Sequence, residues 1–191
     1  MILLRLYHFS NYYVLSITPN AEKFLTGLTT NTTSAPQNAF IDKFGKIVAT
    51  FWQQKISDDE ILIALDKRAT GPLIEHLKQH LALTNTKFER RNELYVYYTL
   101  DEKKVILSET KIPNSISEEE FREFRLHHNI PLQYEDFTNE MVLNVSYDFV
   151  SFTKGCYLGQ EVVARVNYLG KPPKKLVADF EKEKFVFVEN E

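Results

Sequence analysis

Strand-like segments recur along this chain without the regular alternation of strand, helix and strand that a parallel sheet requires. Residues 39–42 and 46–56 have the character of two strands around a turn, in which Gly45 can supply a positive φ. Residues 95–99 and 105–108 have the pattern of a second hairpin. The order of the segments therefore predicts an α+β fold with mainly antiparallel sheets and few helices.

Three helix starts carry local signals. Thr18-Pro19 combines an N-cap residue with a proline at the first helical position, and Gly71-Pro72 precedes leucines spaced four residues apart. Ser117 is followed three residues later by Glu120, which is the capping-box pattern. The other segments predict strands, which span residues 2–7, 12–17, 61–65, 141–147, 161–168, 175–180 and 184–188.

The single cysteine, Cys156, limits the chemistry that this chain can perform. It excludes an intramolecular disulfide, a zinc site built on several thiolates, and an iron–sulfur cluster bound by this chain's cysteines alone. Lys plus Arg total 23 and Asp plus Glu total 26, and this net charge of −3 argues against direct nucleic-acid binding. The N-terminus lacks a leader pattern, and no stretch approaches the ~18 apolar residues of a membrane span. We therefore expect a cytoplasmic protein without membrane contact.

The segment Lys154-Gly155-Cys156-Tyr157-Leu158-Gly159-Gln160-Glu161 is the most informative stretch of the chain. Its two glycines permit positive φ on either side of the Cys-Tyr pair, which predicts an exposed loop leading into a strand from Glu161. An exposed Cys156 is accessible, and the positive charge of Lys154 favours its thiolate. The alternative is that Cys156 is a small, half-buried apolar residue. Spacing alone leaves both open, because no histidine lies within several residues to act as a base.

This string, Lys-Gly-Cys-Tyr-x-Gly-Gln-Glu, resembles the signature of the YgfZ folate-binding proteins, relatives of the glycine-cleavage aminomethyltransferase (GcvT). The resemblance extends through most of the chain. It includes residues 17–29, Phe40-Ile41-Asp42 with Gly45-Lys46, Arg125 with Ile130-Pro131 and Asp136, and Gly170 with Leu176.

The resemblance implies a three-lobed ring fold with a central folate site, and a role in supporting iron–sulfur enzymes, including tRNA-modifying ones. Cys156 is then the key functional residue, with Lys154 beside it. The supporting residues are Gly155, Tyr157, Gly159, Gln160 and Glu161. The implied cofactor is tetrahydrofolate or another folate, with contacts expected at Arg125, His127, Asp136 and Arg165. The expected partners are iron–sulfur client proteins and the folate itself.

Two departures from the family pattern affect what we expect. Related proteins hold the pterin ring with a glutamate where this chain has His127, and a histidine cannot accept two parallel N–H bonds as a carboxylate does. We therefore expect weakened folate binding. The chain also ends 30 residues beyond Glu161, where the family carries a full C-terminal barrel. We expect a truncated barrel at 169–191, after an N-terminal lobe at 1–100 and a second lobe at 101–168.

Three functions remain open at this point. The first is an accessory protein for iron–sulfur cluster assembly or repair that acts through Cys156. The second is a tetrahydrofolate-dependent aminomethyltransferase, although those enzymes lack this cysteine string. The third is a degenerate, non-catalytic module that only binds a protein partner, as the short C-terminus and His127 suggest. No metal site is expected, because the adjacent His127 and His128 point in different directions on a helix.

Overall fold

The computed structural model describes residues 4–190. Within this range the strands are β1 (Leu6–His8), β2 (Tyr12–Thr18), β3 (Gln37–Ile41), β4 (Ile47–Lys55), β5 (Ile61–Asp66), β6 (Lys87–Arg90), β7 (Tyr95–Thr99), β8 (Lys104–Ser108), β9 (Lys174–Asp179) and β10 (Lys184–Glu189). The helices are α1 (Ala21–Leu28), α2 (Lys67–Thr84), α3 (Glu118–His128), α4 (Val142–Val145) and α5 (Gln160–Tyr168), with a 3₁₀ turn at Tyr147–Phe149.

The largest sheet has five strands in the order β3-β4-β5-β2-β6, and all neighbours are antiparallel. Successive side chains of a strand point to opposite sides, and β5 in the middle of the sheet is buried on both faces. Ile61, Ile63 and Leu65 of β5 pack under α1 and α2, whereas Leu62 and Ala64 face the second sheet. The sheet is thus the central layer that the other elements cover.

The second sheet has three strands in the order β1-β7-β8. Consecutive strands β1 and β2 belong to different sheets, so the chain passes from one sheet to the other at residues 9–11. Aromatic side chains fill the space between the sheets and α3. Tyr7 stacks on Phe121 with ring centroids 4.0 Å apart, and Trp52 meets Tyr98 edge-on at 5.6 Å. Trp52 is therefore a core residue.

The last elements form a separate packing unit around the β3–β4 turn. The β9–β10 hairpin, α4 and α5 share a core with Ile41 and Ile47 of the central sheet. Val163 of α5 is completely buried in that core. Residues 154–161 are consequently held against the β3–β4 hairpin.

The predicted α+β class with mainly antiparallel sheets is confirmed. The hairpins at 39–55 and 95–108 and the capping box at Ser117 are also present. The division at 1–100, 101–168 and 169–191 stays a prediction, and the β7–β8 hairpin crosses its first boundary. Residues 2–3 of the first predicted strand lie outside the described residues.

Two predicted strands are wrong. Residues 161–168 form α5, and residues 141–147 form α4 and part of the 3₁₀ turn. Runs of valine such as Val162-Val163 favour strands locally, but packing of one helical face overrides that preference. Strand β6 is present where no strand was predicted.

Two predicted helix starts are also displaced. Helix α1 begins at Ala21 behind Asn20, because Thr18 is still part of β2. Helix α2 begins at Lys67, and Pro72 lies inside it. The side chain of Asp66 caps α2 by accepting from the Arg68 N–H at 2.8 Å. In the part of the chain that the structure describes, no helix is both long and apolar enough to cross a membrane.

Candidate functional site

The motif loop, residues 154–159, connects the segment after the 3₁₀ turn to α5. Cys156 is exposed, as is Gly155, whereas the Tyr157 side chain is buried. Gln160 and Glu161 form the first turn of α5, so the motif ends in a helix rather than a strand. The loop therefore presents its thiol outward while the residue after it anchors the loop in the core.

The motif loop caps the C-terminal end of α1. The ammonium of Lys154 donates to the Thr26 and Thr29 carbonyls at 2.9 and 2.5 Å, and the Leu158 N–H donates to the Gly27 carbonyl at 3.1 Å. Carbonyls at the end of a helix have no partner within it, and a positive charge is favourable there. Helix α1 has no basic residue in its own last turn, so Lys154 supplies the missing cation from a distant segment.

Lys154 is half-buried, and this burial lowers its pKa to about 8. Its Nζ also lies 4.9 Å from the centre of the Tyr157 ring, which gives it a cation–π contact. Burial raises the pKa of Tyr157 to about 12, so that hydroxyl stays protonated. These contacts give Lys154 a structural role in fixing the loop. Its predicted effect on the Cys156 thiolate stays a prediction.

Of the two motif glycines, only Gly159 has a conformation that requires glycine. Its φ is +82°, and a Cβ there would lie 2.5 Å from the Asp42 carbonyl oxygen and 2.9 Å from Cδ1 of Ile41. Gly155 has no positive φ, and a Cβ would meet nothing within 4 Å. The expectation of positive φ on both sides of Cys156 is therefore wrong for Gly155. The close approach at Gly159 lets α5 start directly against the β3–β4 turn.

The β3–β4 turn is fixed by hydrogen bonds within the turn. Oδ1 of Asp42 accepts from the Phe44 and Lys46 N–H groups at 2.8 and 2.9 Å. Gly45 adopts a φ of +79°, and a Cβ added there would lie 3.4 Å from Cγ1 of Val162 in α5. The motif is thus docked on two preformed supports, the end of α1 and the β3–β4 turn.

A buried polar network fixes the segment just before the motif loop, and sequence reasoning missed it. The Thr30 hydroxyl donates to the Phe149 carbonyl at 2.5 Å, and Nδ2 of Asn31 donates to the Asp148 carbonyl at 2.9 Å. Asn38 completes the network by accepting from the Asn31 N–H at 2.7 Å. The only signal in the sequence is the polar run Thr29-Thr30-Asn31 between apolar segments.

The residues expected to contact folate do not converge. Arg125 and Asp136 form a buried ion pair, in which Asp136 also accepts from the Leu132 N–H at 2.7 Å. His127 is exposed and lies against Phe180 of the β9–β10 turn, with ring centroids 4.9 Å apart. Arg165 is exposed on α5. These four residues occupy three separate places.

The space between the central sheet and the segment after α3 is too small for a pterin ring. Where the central sheet meets Pro131, Leu132 and Phe149, the cavity measures about 10 Å³. That is roughly the space for one water molecule. The Gln133 side chain fills the neighbouring space by accepting from the Thr50 N–H at 2.8 Å and donating to the Val48 carbonyl at 3.1 Å. A folate therefore does not fit in this space, and the cofactor stays a prediction.

Comparison with solved structures identifies the architecture. The crystal structure of glycine cleavage system aminomethyltransferase T from Bartonella henselae superposes with a TM-score of 0.62, covering 90% of this chain and 64% of that chain. This chain has the aminomethyltransferase T fold. The sequence identity is 7%, so the likeness is one of fold.

Sequence comparison adds two relatives. An uncharacterized protein of Haemophilus influenzae is 25% identical over 79% of this chain and 64% of its own length. The tRNA-modifying protein YgfZ of Colwellia psychrerythraea is 70% identical over 27 residues, which are 14% of this chain and 8% of that protein. The sequence matches no protein-family model. This chain spans slightly less than two thirds of the Haemophilus influenzae relative and of the structural neighbour.

Proposed function

We propose that this chain is an accessory protein for the assembly or repair of iron–sulfur proteins, and that it acts through Cys156. The observation that carries the proposal is the placement of the only thiol. Cys156 is exposed at the tip of a loop whose flanking residues are fixed on α1 and on the β3–β4 turn. A structural cysteine would be buried instead.

The surroundings of the thiol suit presentation to a large partner. One cysteine cannot hold a cluster by itself, so the iron and sulfide stay with the client protein. Cys156 then offers its thiolate to the client's site from a rigid base, which limits the entropy lost on binding. The short, highly identical match is to a protein named as tRNA-modifying, so the client we propose is an iron–sulfur enzyme that modifies tRNA.

The scattered positions of the expected folate contacts favour a second candidate, a module that binds a protein partner without chemistry of its own. A folate-dependent aminomethyl transfer has less support, because the expected folate contacts are scattered and the cavity beside Pro131 and Phe149 is about 10 Å³. The two leading candidates differ in one respect: only the first requires the sulfur of Cys156.

The test is complementation of cells that lack this protein, with the activity of an iron–sulfur enzyme as the readout. We expect Cys156→Ala and Cys156→Ser to abolish the rescue, and the neighbouring exposed variant Thr153→Ala to retain it. Full rescue by Cys156→Ala would refute the proposal in favour of the binding module. Calorimetric titration with tetrahydrofolate tests the cofactor separately, and we expect no saturable binding.

A further inference from the structure

A second cavity lies away from the motif loop, between the start of β2, α3 and the segment after α3. Its volume is about 190 Å³, far more than the roughly 10–15 Å³ that one water molecule needs. Four aromatic rings form its walls. Phe9 stacks on Tyr12 with centroids 4.4 Å apart, and Tyr7 stacks on Phe121 at 4.0 Å. These walls suit a small molecule with an apolar part.

A buried arginine with free donors lies at this cavity. Only 7% of the surface of Arg125 is exposed. Its Nη1 is used by the Ile130 carbonyl and the Asp136 carboxylate. Within residues 4–190, no protein atom accepts a hydrogen bond from its Nε or Nη2. That free side of the guanidinium presents two parallel N–H donors, the arrangement that matches a carboxylate.

Most of the charged side chains around Arg125 already have ion-pair partners. Asp66 and Glu135 are both engaged by the guanidinium of Arg68, each at 2.7 Å. Arg122 at the rim is directed towards Glu183 at 3.3 Å. Glu118 in the first turn of α3 has no ion-pair partner among the described residues. One carboxylate without an ion-pair partner among the described residues therefore lies at the same cavity as Arg125, which is paired with Asp136 but keeps N–H donors without an acceptor.

Two hydroxyl groups complete the polar lining. Burial, followed by the Asp66 carboxylate, raises the pKa of Tyr12 well above its usual range. Burial and the Glu118 carboxylate likewise raise the pKa of Tyr7. Both phenols remain protonated at neutral pH and can donate a hydrogen bond to an anionic ligand.

We propose that this cavity binds a free α-amino acid with an apolar side chain, whose carboxylate pairs with Arg125 and whose ammonium pairs with Glu118. The aromatic walls take the side chain. The site is independent of Cys156 and of the proposed iron–sulfur function. Because Arg125 also holds Asp136 in the fold, it orients the ligand from a rigid position.

The test is calorimetric titration of the full chain with L-phenylalanine and L-leucine, alongside two matched probes. L-Phenylalaninamide lacks the carboxylate, and 3-phenylpropanoate lacks the ammonium. We expect saturable binding of at least one amino acid, and at least tenfold weaker binding of both probes. Glu118→Gln should weaken amino-acid binding at least tenfold, whereas the adjacent control Glu119→Gln should leave it unchanged.

Three results would each overturn the proposal. They are no binding of either amino acid at millimolar concentration, equal binding of 3-phenylpropanoate, and unchanged affinity in Glu118→Gln. Tetrahydrofolate serves as a competitor. If it saturates the site and the amino acids do not, the cavity is a folate subsite and the proposal is wrong. Arg125 itself is left unchanged in this design, because removing it would leave the buried Asp136 carboxylate without its cationic partner.

Discussion

Substituting alanine for three glycines should give three different changes in stability, ordered by their local geometry. At Gly159 the added Cβ meets a backbone oxygen at 2.5 Å and the residue has a φ of +82°. The left-handed conformation costs about 1–2 kcal/mol for a residue other than glycine. Relief of the contact requires backbone movement, because the Asp42 oxygen cannot rotate away, and this adds roughly 1–3 kcal/mol. Gly159→Ala should therefore lower the free energy of unfolding by about 2–5 kcal/mol.

Gly45 and Gly155 are matched controls. Gly45 has a φ of +79°, but its nearest neighbour would be Cγ1 of Val162 at an ordinary 3.4 Å, so Gly45→Ala should cost only the conformational part, about 1–2 kcal/mol. Gly155 has neither a positive φ nor a neighbour within 4 Å. Gly155→Ala should be neutral or stabilise the fold by about 0.4–1 kcal/mol through the unfolded state.

Urea denaturation with the m-value monitored gives all three free energies. A cost at Gly159 no larger than the cost at Gly45 would show that the contact with Asp42 is absent. A clear destabilisation by Gly155→Ala would show that the motif loop takes another path. Either result would refute the geometry on which the presentation of Cys156 depends.

Three further predictions concern single side chains. Because the pKa of Lys154 is lowered to about 8 in the folded chain, against about 10.4 in the unfolded chain, the unfolded chain binds more protons between these values. Wild-type stability in urea should therefore rise from pH 8 to pH 10, and Lys154→Arg, which stays charged, should lack this contribution. Cys156→Ala should change the free energy of unfolding by less than about 0.5 kcal/mol, because the thiol is exposed; a larger loss would mean that it is packed. Ser117→Ala should cost about 1 kcal/mol in thermal or urea unfolding through loss of the α3 cap, and no loss would contradict the capping box.

Local signals predicted the parts of the fold that depend on neighbours in sequence. The turn at Gly45, the hairpin at 95–108 and the capping box at Ser117 are fixed within a few residues. The string 154–161 likewise predicted an exposed loop with Cys156 on its surface. The conformation of α5 could not be read in this way, because Val162, Val163 and Val166 individually favour strands. Burial of Val163 against the β3–β4 turn decides in favour of a helix.

The partners of the site residues were the least predictable feature. The acceptors of Lys154 lie 128 and 125 positions earlier in the chain, and nothing in the sequence pairs them. Arg125 was expected to help hold a folate, whereas the structure pairs it with Asp136 and leaves its other side on a different cavity. Such pairings depend on how the sheets and loops pack, which the local pattern does not encode.

Capping of α1 by the motif loop also sets an order of events during synthesis. The Thr26 and Gly27 carbonyls acquire their partners only when residues 154 and 158 have left the ribosome. At typical elongation rates that interval is roughly 6–26 s. Until then the end of the first helix is hydrated, and the Thr30 and Asn31 side chains also lack their acceptors at residues 148 and 149. The N-terminal sheet of the nascent chain can therefore complete its packing only after translation of the cysteine loop, so a ribosome that stalls before it leaves an incompletely packed product exposed to proteases.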